Sequence, residues 1–218
     1  AIGASGSGDL LDMTGLVCGK ITLQGGNELF VGVDKLTIHG PGAAALTIDG
    51  AAQSRVLRHA GTGTLSLSGL TLAHGRYEFA GPGNVGGGCL FSAGTVVATD
   101  VVVTSCALHA INTTAGVALG GGIATQGDLV LVRSRVTRNL AHATHGGALG
   151  GGAYAAGSIT AKYSVVDAND AVADAGTVLG DAYAGGGGLF SYQGGQVRGT
   201  TISGNGARTG AGAVLGRM

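Results

Sequence analysis

Charge is scarce in this chain, at 11% of 218 residues, and its 12 basic and 12 acidic side chains cancel. Nothing in that balance favours nucleic acid or an anionic membrane as a partner. Only two prolines are present and glycine follows no three-residue period, which excludes collagen. No apolar run approaches the ~18 residues of a membrane-spanning helix. Residues 1–8 have neither the basic start nor the apolar core of a signal peptide, although a mature chain that had lost its signal would read the same way. Three cysteines, Cys18, Cys89 and Cys106, are an odd number and leave the redox compartment open. Helical periodicity is missing from the second half, where frequent glycine would penalise a helix by about 1 kcal/mol per residue.

What the chain has instead is glycine, 46 residues of it, together with 44% hydrophobic residues, too many for a disordered segment. The glycines recur in runs: Gly86-Gly87-Gly88-Cys89-Leu90, Gly120-Gly121-Gly122-Ile123, Gly150-Gly151-Gly152-Ala153 and Gly185-Gly186-Gly187-Gly188-Leu189, with starts 34, 30 and 35 residues apart. A second landmark follows each run, an apolar residue and then Asn three positions on: Val136 to Asn139, Val166 to Asn169 and Ile202 to Asn205. In the first unit Cys106 stands where the others have Asn. A period of this length denotes stacked structural units. Between the landmarks lie short β-type segments such as Thr95–Ala98, Asp128–Val132 and Ser158–Ala161. Strands this short need neighbours in adjacent units. The first half uses the same grammar in Leu36-Thr37-Ile38-His39-Gly40, Leu46-Thr47-Ile48-Asp49-Gly50 and Leu70-Thr71-Leu72-Ala73-His74-Gly75. The pattern predicts an all-β parallel β-helix of about six to eight coils, with a core about 30 to 40 Å long at the inter-strand spacing. Residues 1–20 are expected to form an N-terminal cap and residues 21–218 the solenoid. Gly210 to Gly216 reads as the lead-in to a further unit, so the solenoid is expected to be truncated at its C-terminal end, with self-association through an open last rung.

The paired Gly-Gly-Gly-apolar and apolar-x-x-Asn motifs resemble the GGxx and FxxN repeats of bacterial polymorphic outer-membrane proteins and autotransporter-like passengers. Leu11 to Leu23 and the Leu-Thr-Ile-x-Gly turns are similar to secreted right-handed β-helix proteins carrying that repeat. The likeness spans most of residues 10–216, with Val or Ile where the family motif has Phe. It implies a right-handed single-stranded β-helix, secreted or displayed at the cell surface or bacterial outer membrane. It also implies an adhesin-like role towards a carbohydrate or a host or cell-surface protein.

Candidate chemistry is sparse. Cys89 and Cys106 begin and end the fixed part of one unit, so a closed coil would bring them together, either as a disulfide worth about 3 kcal/mol or as two small buried thiols. Cys18 is expected to be a buried cap residue. Asp167, Asp170 and Asp174, with Asp181 further on, could offer oxygen ligands to calcium or remain solvated loop charges. Arg133, Arg135 and Arg138 are the one notable basic group; the first two share a strand face and form either an acidic-sugar grip or a guard against lateral sheet pairing. Tyr183 and Tyr192 flank the fourth glycine run and suit either sugar stacking or packing between rungs. His142 and His145 could hold a metal together, with no third ligand apparent. Gly81 to Gly86 matches GxGxxG but leads into β-type sequence rather than a helix, so it reads as a loop. Asn112-Thr113-Thr114 is a glycosylation sequon. No nucleophile elbow, zinc helix or phosphate loop occurs. A polysaccharide lyase or glycoside hydrolase, and a purely structural spacer, are the alternatives to a binding module, and the fold alone does not choose between them.

Overall fold

The computed structural model describes residues 2–111, 116–174 and 182–210. Apart from a single 3-10 turn at Ile2–Ala4, all regular structure among them is short parallel strand. The strands stack into five sheets. Sheet A holds seven, from Asp9–Asp12 to Gly195–Arg198; sheet B seven, from Lys20–Thr22 to Thr201–Ser203; and sheet C six, from Leu29–Val31 to Leu189–Ser191. Sheet D has five, from Arg76–Phe79 to Gly206–Thr209, and sheet E four, from Val85–Gly86 to Tyr183–Gly185. The first two turns run A, B, C; from Arg76 onward each turn runs A, B, D, E, C. The chain is a parallel β-solenoid.

Alternation explains the main core. Along sheet A the inward row Leu36, Leu65, Val96, Leu129, Ile159 is in strict register, and a second row runs Ile38, Leu67, Ala98, Leu131, Ala161. Sheet B adds Ile48, Leu72, Val103, Val136 and Val166; sheet C adds Leu57, Leu90, Ile123 and Ala153. All are buried and belong to one cluster inside A, B and C. Each residue sits about 4.8 Å from its equivalents above and below, so aliphatic side chains pack in continuous files.

A second, thinner core lies between sheets D and E. It consists of Leu108, Ala110, Ala118, Ala141, Ala143, Ala148, Ala171, Ala173 and Ala184 with a few neighbours. Methyl groups suffice because these two sheets face each other directly, so each five-strand turn has two lobes. The lobes meet at a neck, where the glycine run between E and C passes against the corner between B and D. The glycine that opens each turn between sheets E and C has positive φ, at Gly87, Gly120, Gly150 and Gly186. At the second, a Cβ would run into backbone: on Gly121 it would lie 2.3 Å from the carbonyl carbon of Leu140 and from the oxygen of Gly151.

The true repeat register differs by one residue from the apparent starts of the runs. Gly86 and Gly185 are strand residues equivalent to Leu119 and Leu149, so Cys89 matches Gly122, Gly152 and Gly188. Opposite these stand Cys106, Asn139, Asn169 and Asn205, spaced 33, 30 and 36 residues apart. The asparagines form a ladder, buried at Asn139 and Asn169: Asn139 Nδ2 donates to Asn169 Oδ1 and Asn169 Nδ2 to Asn205 Oδ1, both at 2.9 Å. Each amide also donates to a strand carbonyl, that of Val103, Val136 or Val166. The left-handed conformation at this corner falls on the residue before each Asn, at Arg138, Ala168 and Gly204, and on Ser105 before Cys106. That leaves the Asn side chain pointing inward to bond along the stack. In the first two-lobed turns Cys89 and Cys106 replace a glycine and an asparagine of the neck and are joined as a disulfide; the 17-residue separation runs once around sheets C, A and B.

Residues 1–20 already supply strands to the stack. Asp9–Asp12 pairs with Leu36–His39 in sheet A, and Lys20–Thr22 with Thr47–Asp49 in sheet B. The first coil lacks repeat glycines because it has no second lobe and therefore no neck. Cys18 is a free, exposed thiol in its loop rather than a buried one. At the other end Val197 and Ile202 continue the inward rows yet are half-exposed; residues 211–218, Asn112 to Thr114 and Asp181 lie outside the described residues.

Replacing Asn169 by alanine removes the acceptor of the Asn139 N–H and Nδ2 groups and the side-chain donor to the Val136 carbonyl in the neck. A loss of about 3 kcal/mol is expected in urea unfolding, whereas Arg138→Ala, one residue away but exposed, should stay within about 0.5 kcal/mol.

Candidate ligand-binding site

The change from three-strand to five-strand turns creates a shoulder. Arg76–Phe79 is the first strand of sheet D and Val85–Gly86 the first of sheet E, so both present an edge towards the narrower N-terminal coils. Under that edge is a cavity of about 520 Å³ lined by Asn27, Glu28, Ser54, Arg55, Arg76, Tyr77 and Glu78, among others. A second hollow of about 210 Å³ continues from it past Arg58, Asn84 and Phe91, with Arg55 and Tyr77 in the wall of both.

Arg55 holds the shoulder together. It is only 5% exposed. Its Nε donates to the Gly87 carbonyl at 2.7 Å, its Nη2 to that of Gly86 at 2.8 Å and its Nη1 to Glu28 Oε2 at 2.8 Å. The guanidinium also lies 3.9 Å over the Tyr77 ring, with Phe91 on its flank. Burial pushes the Arg55 pKa down while Glu28 opposes the shift. Three successive coils are thereby joined through one side chain. Around this fixed centre the two hollows offer half-exposed Arg58 and Arg76 and the Tyr77 ring. Ser54 adds a hydroxyl that is buried in the wall and has no hydrogen-bond partner.

Sheet C extends the surface. Its outward row in register is Phe30, Arg58, Phe91, Ala124, Tyr154, Phe190. Phe30 is 51% exposed and has the Arg58 guanidinium above it. Further along, Tyr154, Phe190 and Tyr192 form a ring cluster with centroids 5.4 to 6.0 Å apart. Leu119 and Leu149 of sheet E pack into the same concave corner, so Tyr154 is buried there while Tyr192 remains 68% exposed. Tyr183 lies across Gly147 on the outside of sheet E. Burial raises the Tyr154 and Tyr183 pKa values.

The arginine strip takes a different form. Arg133 is a corner residue with φ of 46°, outside the strands of sheets A and B, and forms a bidentate pair with Asp100 of the coil below at 2.9 and 2.7 Å. Arg135 opens a strand of sheet B and pairs with Asp167 of the coil above at 2.7 Å. Arg138 lies at the next corner. Two of the three charges are thus neutralised across rungs, and no continuous cationic grip forms. The acidic trio is dispersed in the same way, with Asp167 held by Arg135, Asp170 by Arg208 and Asp174 by His142. Among the described residues no three His, Cys, Asp or Glu side chains are gathered for a metal. His145 contacts Thr144, and the histidine beside His142 is His109 on the neighbouring rung. Burial, then Arg76 and His142, lower the His109 pKa.

Compared with family models, curated proteins and solved structures, the chain matches none of them. No helix among the described residues is long and apolar enough to cross a membrane.

Sequence reading missed Glu28, Arg55, Arg58, Phe30 and Phe91. The usable signal was the stretch from Arg76 to Gly86, which has no counterpart in the first two coils and marks where new sheets begin.

Beside the shoulder, Asp49 is the most strongly shifted acid. Burial alone would raise its pKa. Lys20 at 2.5 Å, the Ala51 N–H at 2.7 Å and His74 at 3.1 Å outweigh burial and bring it down to about 2. A carboxylate with a depressed folded pKa contributes stability above its unfolded value, and loses it as pH falls through the folded one. Asp49→Asn should therefore be less stable than the parent chain by about 2 kcal/mol at neutral pH. The gap should close between about pH 4 and pH 2, measured by urea unfolding across that range.

Proposed function

We propose that the chain is a glycan-binding module of a secreted or surface-displayed β-helix protein, adhesin-like in its use of a lateral sheet. The observation that carries this reading is the shoulder cleft: rings, half-exposed guanidinium groups and a buried unpartnered hydroxyl line two adjoining hollows that share Arg55 and Tyr77. A saccharide presents apolar C–H faces and polar hydroxyl edges, and those groups complement both. Guanidinium groups add affinity for a sugar carboxylate. The Cys89–Cys106 bridge supports an oxidising compartment and hence export. The Gly and Asn repeat adds its resemblance to exported β-helix passengers.

A hydrolase or lyase reading has less to stand on. The two carboxylates of the cleft are each held by an arginine, Glu28 by Arg55 and Glu78 by Arg76.

A panel of neutral and acidic oligosaccharides, tested with and without calcium, should contain a ligand bound at micromolar to millimolar concentration without release of reducing ends or unsaturated products. Tyr77→Ala and Arg58→Ala should each weaken that binding at least tenfold, and Tyr192→Ala should leave it within about twofold. Product formation, or binding indifferent to Tyr77 and Arg58, would overturn the assignment.

A further inference from the structure

Sheet D carries a histidine pair that the proposed glycan site does not use. His109 and His142 are register partners on adjacent rungs and occupy the same outward row. We propose that they hold a divalent transition-metal ion between their Nδ1 atoms. These atoms lie 3.4 Å apart. That separation is long for a hydrogen bond, whose heavy atoms normally lie about 2.7 to 3.2 Å apart. It matches two imidazole nitrogens bound at about 2.0 to 2.1 Å to one tetrahedral ion, which are about 3.3 to 3.4 Å apart.

The surroundings favour the same use. His142 Nε2 donates to Asp174 Oδ2 at 2.7 Å, which places the proton of the neutral ring on Nε2 and leaves the Nδ1 lone pair facing His109. A carboxylate behind a ligating histidine orients the ring and raises its basicity. The nearest further carboxylate in the row is Glu78, register partner of His109 on the rung below, and it is engaged by Arg76 at 2.9 Å. On the rung above, the row continues with Val172. The pair is therefore a two-histidine site completed by water, open on its solvent side. Imidazole ligands of this kind suit zinc, copper or nickel rather than calcium or magnesium.

The test is calorimetric titration of the untagged, chelator-treated chain with zinc chloride, checked by imidazole nitrogen resonances. One zinc per chain is expected, with the Nδ1 signals of both His109 and His142 shifting and that of His39 still. His109→Ala and His142→Ala should each weaken binding at least tenfold, Asp174→Asn by about tenfold, and His145→Ala by less than twofold. Melting curves of the zinc-free variants would show that each remains folded. Absence of zinc binding at millimolar concentration, or a one-to-one site that survives His142→Ala, would overturn the proposal.

Discussion

The structure depends on how closely two stretches of backbone approach at the neck. There the glycine run that joins sheets E and C lies directly against the corner between sheets B and D, and a side chain on its second residue would occupy space already filled by carbonyl groups. This approach divides each five-strand turn into a large aliphatic lobe and a thin alanine lobe. Backbone brought so close must have its polar groups satisfied. The Asn139, Asn169 and Asn205 side chains do so by bonding both to strand carbonyls and to one another. In the first two-lobed turns a disulfide takes over the same position. Glycine, asparagine and cystine are three local answers to one geometric demand.

The shoulder follows from the neck. Two coils without a second lobe precede coils that have one, so the first strands of sheets D and E leave an edge that nothing in the narrower coils can cover. Arg55 fills the exposed joint with a buried charge, two carbonyl partners, one carboxylate and two rings. A long planar cation suits that place because it bonds in several directions while its flat face rests on Tyr77. The cleft beside it is thus a by-product of the change in cross-section, supplied with polar and aromatic groups by only a few positions. Elsewhere the outer surface is quieter, with Arg133, Arg135 and Arg208 each neutralised by an aspartate of the next rung.

Most of the fold was legible in the residues. Leu36-Thr37-Ile38 and Leu129-Val130-Leu131 alternate as half-buried strands must, and the recurrence of Asn behind Val or Ile marked a repeated corner. The register of the glycine runs was harder, because Gly86 and Gly185 extend two of them backwards by one residue without being part of the turn. The second lobe left little trace: Ala141, Ala143, Ala171 and Ala173 look like weak strand formers until sheet E is set against them. The cleft was least legible. Glu28, Arg55, Tyr77 and Phe91 are scattered singly along the chain, and only the coil lengths bring them together. For the same reason His142 looked closer to His145 in sequence than to His109, its neighbour on the next rung.

The neck account is tested most directly by adding one methyl group where it leaves no room. Gly151→Ala would place a Cβ 2.3 to 2.4 Å from the Asp170 carbonyl and the Gly187 oxygen, whereas Gly15→Ala meets nothing within 4 Å. Equilibrium unfolding of the two variants beside the parent chain should show a loss of about 3 kcal/mol or more at Gly151, and a change within about 0.5 kcal/mol at Gly15. Equal effects at the two positions would contradict a close-packed neck as the constraint on which the fold depends.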